Sequence, residues 1–269
     1  MKHLLTAFLM VLGLSFCLPF SGAAAPRDSV VDKVVQRGTL RVGFSSFVPW
    51  AMQDKEGKYI GFEIDVAERL AKDLGVKLQL VPTNWDGIIP ALLSGKFDVI
   101  IGGMSITPQR LLSVNFSIPY DYAYVDLTLN REKSADIQKL EDLNREGVTL
   151  AVRTGTTAAA VAARMFPRAS LRMFNDEAPA VEEVLSGRAH AFVSSAPLPA
   201  METLRHADVL EQKFETRLDA QPVAFAVLKG DFDTLNVFDG WIRLMEEEGW
   251  LQERRNYWFK SDAWQSKVN

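Results

Sequence analysis

Residues 97–110 read Phe-Asp-Val-Ile-Ile-Gly-Gly-Met-Ser-Ile-Thr-Pro-Gln-Arg. The run 97–101 predicts a strand buried on both faces, and Gly102-Gly103 ends it. Thr107-Pro108 then opens a helix: the threonine hydroxyl suits the orphan amides, and proline fits the first helical position. Upstream, residues 40–44 predict a strand. Residues 62–74 predict a helix, with Phe62, Val66, Leu70 and Leu74 on one face and Gly75 as its stop. Alternating Val76, Leu78 and Leu80 predict a second strand, and 86–93 a short helix. Strand, helix, strand, helix, strand is the order of parallel α/β layers.

Downstream the order restarts. Residues 148–152, 171–174 and 191–194 predict strands, and 157–165 and 178–185 predict helices. A charged, irregular stretch at 134–146 separates the two series. Residues 223–228 return as a buried strand. Leu235, Phe238, Trp241, Ile242 and Met245 then line one helix face, and an aromatic segment, Tyr257-Trp258-Phe259, follows. Two α/β units with a C-terminal return predict two lobes with a cleft between them.

The chain has 269 residues, 48% hydrophobic and 24% charged, with a net charge of -4. That is globular composition, and the mild acidity argues against a general nucleic-acid binder. Residues 1–25 combine Lys2, an apolar run from Leu4 to Phe20 and the small-residue exit Ser21-Gly22-Ala23-Ala24-Ala25. This is the three-part pattern of a secretory signal peptide, with cleavage expected after Ala24 and export from the cytoplasm. An uncleaved anchor is the alternative, although the run is shorter than the roughly 20 residues a spanning helix needs. The one cysteine, Cys17, and one of the three histidines lie in this leader. No disulfide framework and no metal-ligand spacing is found.

Arg110, one turn into its helix, sets a planar double donor beside Ser105 and a helix start, a combination that suits a carboxylate. The same residues also suit a capped helix with a solvated arginine. Arg153-Thr154-Gly155-Thr156-Thr157 repeats the strand-to-helix turn in the second unit, and a plain N-capped loop is its alternative. Phe47, Trp50, Trp85, Tyr120 and Tyr122 lie near the same strand ends, where aromatics wall pockets or simply pack. No nucleophile–base constellation stands out, and no cofactor is called for.

In this order and spacing, the segments resemble the periplasmic polar amino-acid-binding proteins of ABC importers, family 3 of the bacterial extracellular solute-binding proteins. The resemblance is carried by Gly61-Phe62-Glu63-Ile64-Asp65-Val66, by Trp85 to Leu92, by Phe97 to Ile100 and by Ser105 to Arg110. Phe116 to Tyr120, Gly155-Thr156-Thr157 and the closing Trp250 and Tyr257-Trp258-Phe259 continue it. It implies a type II periplasmic-binding-protein-like fold: two α/β lobes, each a mainly parallel sheet flanked by helices, joined by two hinge crossings near 125–129 and 221–225. Expected boundaries are 1–24 for the signal peptide, 26–125 plus 223–269 for lobe 1, and 126–222 for lobe 2. It further implies a monomeric receptor that closes on a small carboxylate ligand, such as an amino acid or analogue, and delivers it to an inner-membrane ABC permease.

By the same resemblance, Arg110 clamps the ligand carboxylate with Ser105, Thr156 and Thr157. Phe47 and Trp85 sandwich the ligand side chain, and Gly103 offers a carbonyl to its ammonium. One position departs: Ser195 stands where the family usually has an aspartate for that ammonium. A serine brings no counter-charge, so either another acid replaces it, with Asp121 as the candidate, or the ligand has no ammonium. A cyclohexadienyl-dehydratase-like enzyme on the same scaffold is the alternative function. Its glutamate, shortly after the aspartate position, has no counterpart in Ser195-Ala196-Pro197-Leu198.

Overall fold

The structure, a computed structural model, describes residues 29–268; the expected signal peptide lies outside the described residues. In chain order, α1 (Val30–Arg37) leads into β1 (Thr39–Phe44), and β2 (Met52–Gln53) and β3 (Tyr59–Ile60) form a small hairpin. Next come α2 (Phe62–Asp73), β4 (Lys77–Pro82), α3 (Ile88–Leu93), β5 (Val99–Ile100), α4 (Pro108–Leu111) and β6 (Val114–Phe116). The long β7 (Asp121–Asn130) carries the chain to a second unit, made of β8 (Thr149–Arg153), α5 (Thr157–Met165), β9 (Ser170–Phe174), α6 (Glu177–Leu185) and β10 (Ala191–Ser195). It continues with α7 (Leu198–Arg205), β11 (Leu210–Glu211) and β12 (Leu218–Val223). The chain then returns through β13 (Ala226–Leu228), α8 (Phe232–Glu247) and α9 (Trp250–Lys260).

Two sheets result. The first has the order β4-β1-β5-β13-β6, and the second β11-β7-β10-β8-β9 with β12 on β7. Each has a parallel core of three strands, β4-β1-β5 and β10-β8-β9, extended by antiparallel strands. The inner strands β5, β8 and β10 are buried along most of their length because helices cover the sheet, whereas the edge strands β4 and β9 are partly exposed. In the first lobe Val42, Val99, Ile101, Phe62, Val66 and Leu70 pack with Phe225, Phe238, Trp241 and Trp258 from the C-terminal return. Both ends of the described chain therefore sit in this lobe. The backbone amides of Val30 and Val31 donate to Asp231 Oδ2 and Thr234 Oγ1, tying α1 to α8. The second lobe has its own core around Leu127, Leu150, Val152, Val161, Ala162 and Val193.

The two crossings between lobes lie side by side. β7 and β12 pair antiparallel, with Asp121 opposite Val223 and Tyr122 opposite Pro222. Tyr120 N donates to Val223 O at 3.0 Å, and Ser117 N to Phe225 O at 3.0 Å. The second crossing falls where the sequence predicts it. The first lies nearer Pro119–Asp121 than 125–129, because residues 125–129 are already paired with β10 inside the second sheet. The aromatic segment at 257–259 is the last part of a full helix, α9, rather than a short separate element.

Candidate functional site

The loops at the carboxyl ends of β1, β5, β8 and β10 face each other across the lobe boundary. They enclose a small cavity of about 40 Å³, lined by Phe47, Trp85, Gly102, Gly103, Ser105, Arg110, Arg153, Thr156, Thr157, Glu177, Ser194 and Ser195. All eight residues expected to form a site are in that set. A wider groove of about 1000 Å³ opens beside it, sharing Arg110, Thr156 and Thr157 and bordered further out by Ile106, Arg164 and Asp219.

Arg110 is held by its local sequence. Thr107 caps α4, its Oγ1 accepting from Arg110 N at 3.2 Å, with Pro108 at the first helical position. The guanidinium donates from Nη1 to Ser105 O at 2.9 Å and from Nη2 to Gly155 O at 3.1 Å, and it lies 5.5 Å from the Trp85 ring centroid. Both acceptors are neutral. Among the described residues no carboxylate stands within 4.0 Å of it. Burial lowers its pKa to about 10, which leaves it charged at neutral pH.

Gly155 O also accepts from Trp85 Nε1 at 3.1 Å, so one carbonyl of the second lobe is held by two side chains of the first. Thr156 Oγ1 is a local cap: it accepts from Ala159 N at 3.1 Å and donates to Arg153 O at 2.8 Å. Thr157 opens α5 behind it. Phe47 sits in a tight turn closed by two hydrogen bonds with Ala51, both 2.7 Å, and its ring stacks with Trp50 at 6.4 Å. Trp50 itself is buried against Phe62 and Phe259, and Tyr120 is equally buried, so these two aromatics are core. Tyr122 is exposed and outside the cavity.

Asp121 does not replace the aspartate absent at Ser195. It lies on the hinge, with Oδ1 taking the Tyr122 amide at 2.8 Å and standing 3.5 Å from Arg255 Nε. It does not line the cavity. Two charged residues not expected as ligand partners are inside instead. Arg153 is 3% exposed and donates to Asn175 O at 3.0 Å and, across the lobes, to Ser46 O at 3.1 Å and Ser45 Oγ at 2.5 Å. Its partner acid Asp176 stands at 3.7 Å. Glu177, the first residue of α6, accepts from Ser194 Oγ at 3.1 Å through Oε1, while Oε2 is sealed from solvent and has no hydrogen-bond partner. Burial pushes this carboxyl up to about 7, against the pull of Arg153 and the Ser194 hydroxyl, with Asp176 adding to the rise.

Behind the cavity wall a second acid is buried. Glu63 is wholly enclosed; its Oε2 accepts from Tyr120 Oη at 2.6 Å, and Oε1 has no partner. Burial raises it to about 8, the Asp121 charge adding to the rise and the Tyr120 hydrogen bond opposing it. Because this value lies above that of the unfolded chain, the folded state holds the extra proton, and stability falls as pH rises from about 5 through 8. Glu63→Gln keeps the acceptor for Tyr120 but cannot ionise. In thermal melts at a series of pH values, the variant is expected to lose less stability than the wild type across that window, by about 1 kcal/mol or more. Parallel pH profiles for the two proteins would refute this.

Comparison with known proteins places this architecture. The ancestral amino acid-binding protein AncCDT-1, a precursor of cyclohexadienyl dehydratase, superposes with a TM-score of 0.78 at 41% identity, covering 86% of this chain and all of that one. A binding component of an ABC transporter from Wolinella succinogenes, complexed with lysine, gives a TM-score of 0.80 at 37% identity over the same shares. The cyclohexadienyl dehydratase of Pseudomonas aeruginosa is 28% identical over 248 residues, 91% of this chain and 92% of that protein. Residues 40–261 match the family model, and the chain belongs to the bacterial extracellular solute-binding proteins, family 3.

Proposed function

We propose that the protein is a periplasmic receptor that captures a small carboxylate in the interlobe cavity and delivers it to an ABC permease. Arg110 carries this reading. It is a half-buried guanidinium with only neutral acceptors, turned into a cavity that both lobes complete. A carboxylate supplies the missing counter-charge and can take both ends of the planar fork. Phe47 and Trp85 would flank the ligand, and Ser105, Thr156, Thr157, Gly103 and Ser195 would form its polar surround. The two lobes would open about the paired strands β7 and β12, breaking the Arg110, Trp85 and Arg153 contacts that bridge the cavity.

A thermal-shift screen of amino acids, 2-oxo acids and dicarboxylates tests the reading, since a ligand of the folded state raises the melting temperature with saturation. At least one carboxylate is expected to give a clear shift. No response to any of them would reject the receptor reading. Glu177 gives the enzymatic alternative some footing, because an enclosed carboxyl near pH 7 is suited to general-acid work. Elimination from prephenate or arogenate would then be seen as product in a direct assay with the purified chain; none is expected.

A further inference from the structure

Residues 45–48 leave the end of β1 in the first lobe, yet much of what holds them belongs to the second. Arg153, the last residue of β8, donates from Nη1 to Ser46 O at 3.1 Å and from Nη2 to Ser45 Oγ at 2.5 Å. The next two side chains are apolar and pack in the same direction. Phe47 and Val48 lie against the second-lobe cluster of Ala180, Val184, Phe192 and Leu198 as well as against the first-lobe core. Met201 of α7 returns the contact, a second-lobe side chain packed on the first-lobe core. Neither Val48 nor Met201 lines the cavity, so this seam is separate from the surface that a ligand would meet.

The guanidinium is braced for that reach. Asn175 O takes Nε at 3.0 Å, which leaves the two outer nitrogens aimed at the first lobe. Burial lowers the Arg153 pKa, and the charges of Glu177, Asp176 and Asp86 work against that fall. Asp86 belongs to the first lobe, so bringing the lobes together gives the buried cation two acceptors and a further negative charge. Hydrogen bonds from a charged donor contribute more than neutral ones, and enclosing Val48 adds an apolar contribution. We propose that residues 45–48, Arg153 and Met201 form a latch that holds the lobes together without a ligand, with Arg153 as its positioning residue. This rests on the hinge of the reading above and not on the carboxylate clamp. Its consequence is preorganisation: less of a ligand's binding energy goes into closing the lobes.

Small-angle X-ray scattering of the full exported chain, with no ligand added, tests the latch. Wild type is expected to give the radius of gyration of the arrangement described above. Arg153→Met, which keeps an apolar stem but no donors, and Val48→Ser should each give a larger one, with Arg153→Lys in between. Calorimetry with the carboxylate that gives the largest thermal shift adds a second readout. Val48→Ser is expected to bind it about tenfold more weakly, as a fall of the closed fraction to about a tenth requires, although Val48 does not line the cavity. A merely structural role for Val48 would lower the melting temperature and leave shape and affinity unchanged. A ligand-free wild type that is extended, or variants as compact as wild type, would overturn the proposal. Neither result touches the Arg110 clamp, whose failure shows separately as no thermal shift with any carboxylate. Wild type and Val48→Ser decide the matter even if Arg153→Met does not fold.

Discussion

Arg110→Ala is expected to weaken binding of every carboxylate that stabilises the wild type by about 30-fold or more, roughly 2 kcal/mol or above for a charge-assisted, two-pronged contact in an enclosed site. The loss should be confined to binding. α4 is a single turn capped by Thr107 and Pro108, and its cap uses the Arg110 amide rather than its side chain. Removing the guanidinium frees Ser105 O and Gly155 O. The second of these keeps Trp85 Nε1 as a donor, and Ser105 stays in its backbone bridge with Val223. The ligand-free melting temperature should therefore move little. Arg110→Lys restores charge without the planar fork and is expected to fall between the two. Isothermal titration with the same ligand on all three proteins decides it. Wild-type affinity in Arg110→Ala would remove the central residue of the proposed function.

Much of this site could be read before any coordinates because it is written in punctuation. Gly102-Gly103, Thr107-Pro108 and Gly155-Thr156 mark strand-to-helix turns, and in parallel α/β layers those turns collect at one edge. Phe47, Trp85 and Arg110 follow directly. Glu177 did not stand out, since an acid in the first turn of a helix is ordinary dipole complement. Only the register of β8, β9 and β10, which sets α6 against Ser194, shows that its carboxyl is turned inward. Arg153 was visible as part of a loop, but its reach to Ser45 and Ser46 depends on how the lobes meet. β12 escaped for a different reason: Leu218–Val223 contains Asp219, Gln221 and Pro222, a poor strand by composition. It is kept extended by pairing with β7 at the hinge, a tertiary effect that local propensity does not contain.

Gly61→Ala is expected to be the most damaging small substitution in the first lobe. Gly61 precedes α2 with φ of +139° and ψ of 172°, a region open essentially to glycine alone. A methyl group there would lie 2.3 Å from Trp50 O and 2.6 Å from Trp50 C, both backbone atoms that cannot rotate aside. Those atoms are also part of the helix cap: Pro49 O accepts from Phe62 N at 3.2 Å, and Trp50 O from Glu63 N at 2.9 Å. Relief of the clash must push residues 49–51 off the start of α2. That would open the packing of Trp50 on Phe62 and Phe259 and displace Phe47, which shares the same turn. Strain and lost capping together should cost about 3 kcal/mol or more, lowering the melting temperature by roughly 6–12 °C in a chain of this size. Gly95→Ala is the control, with φ of +74° but no atom within 4 Å of the added carbon. It should cost only the left-handed backbone penalty of about 1–2 kcal/mol. If melts place the two variants at the same temperature, the close approach of α2 to the Trp50 backbone is not what demands glycine here.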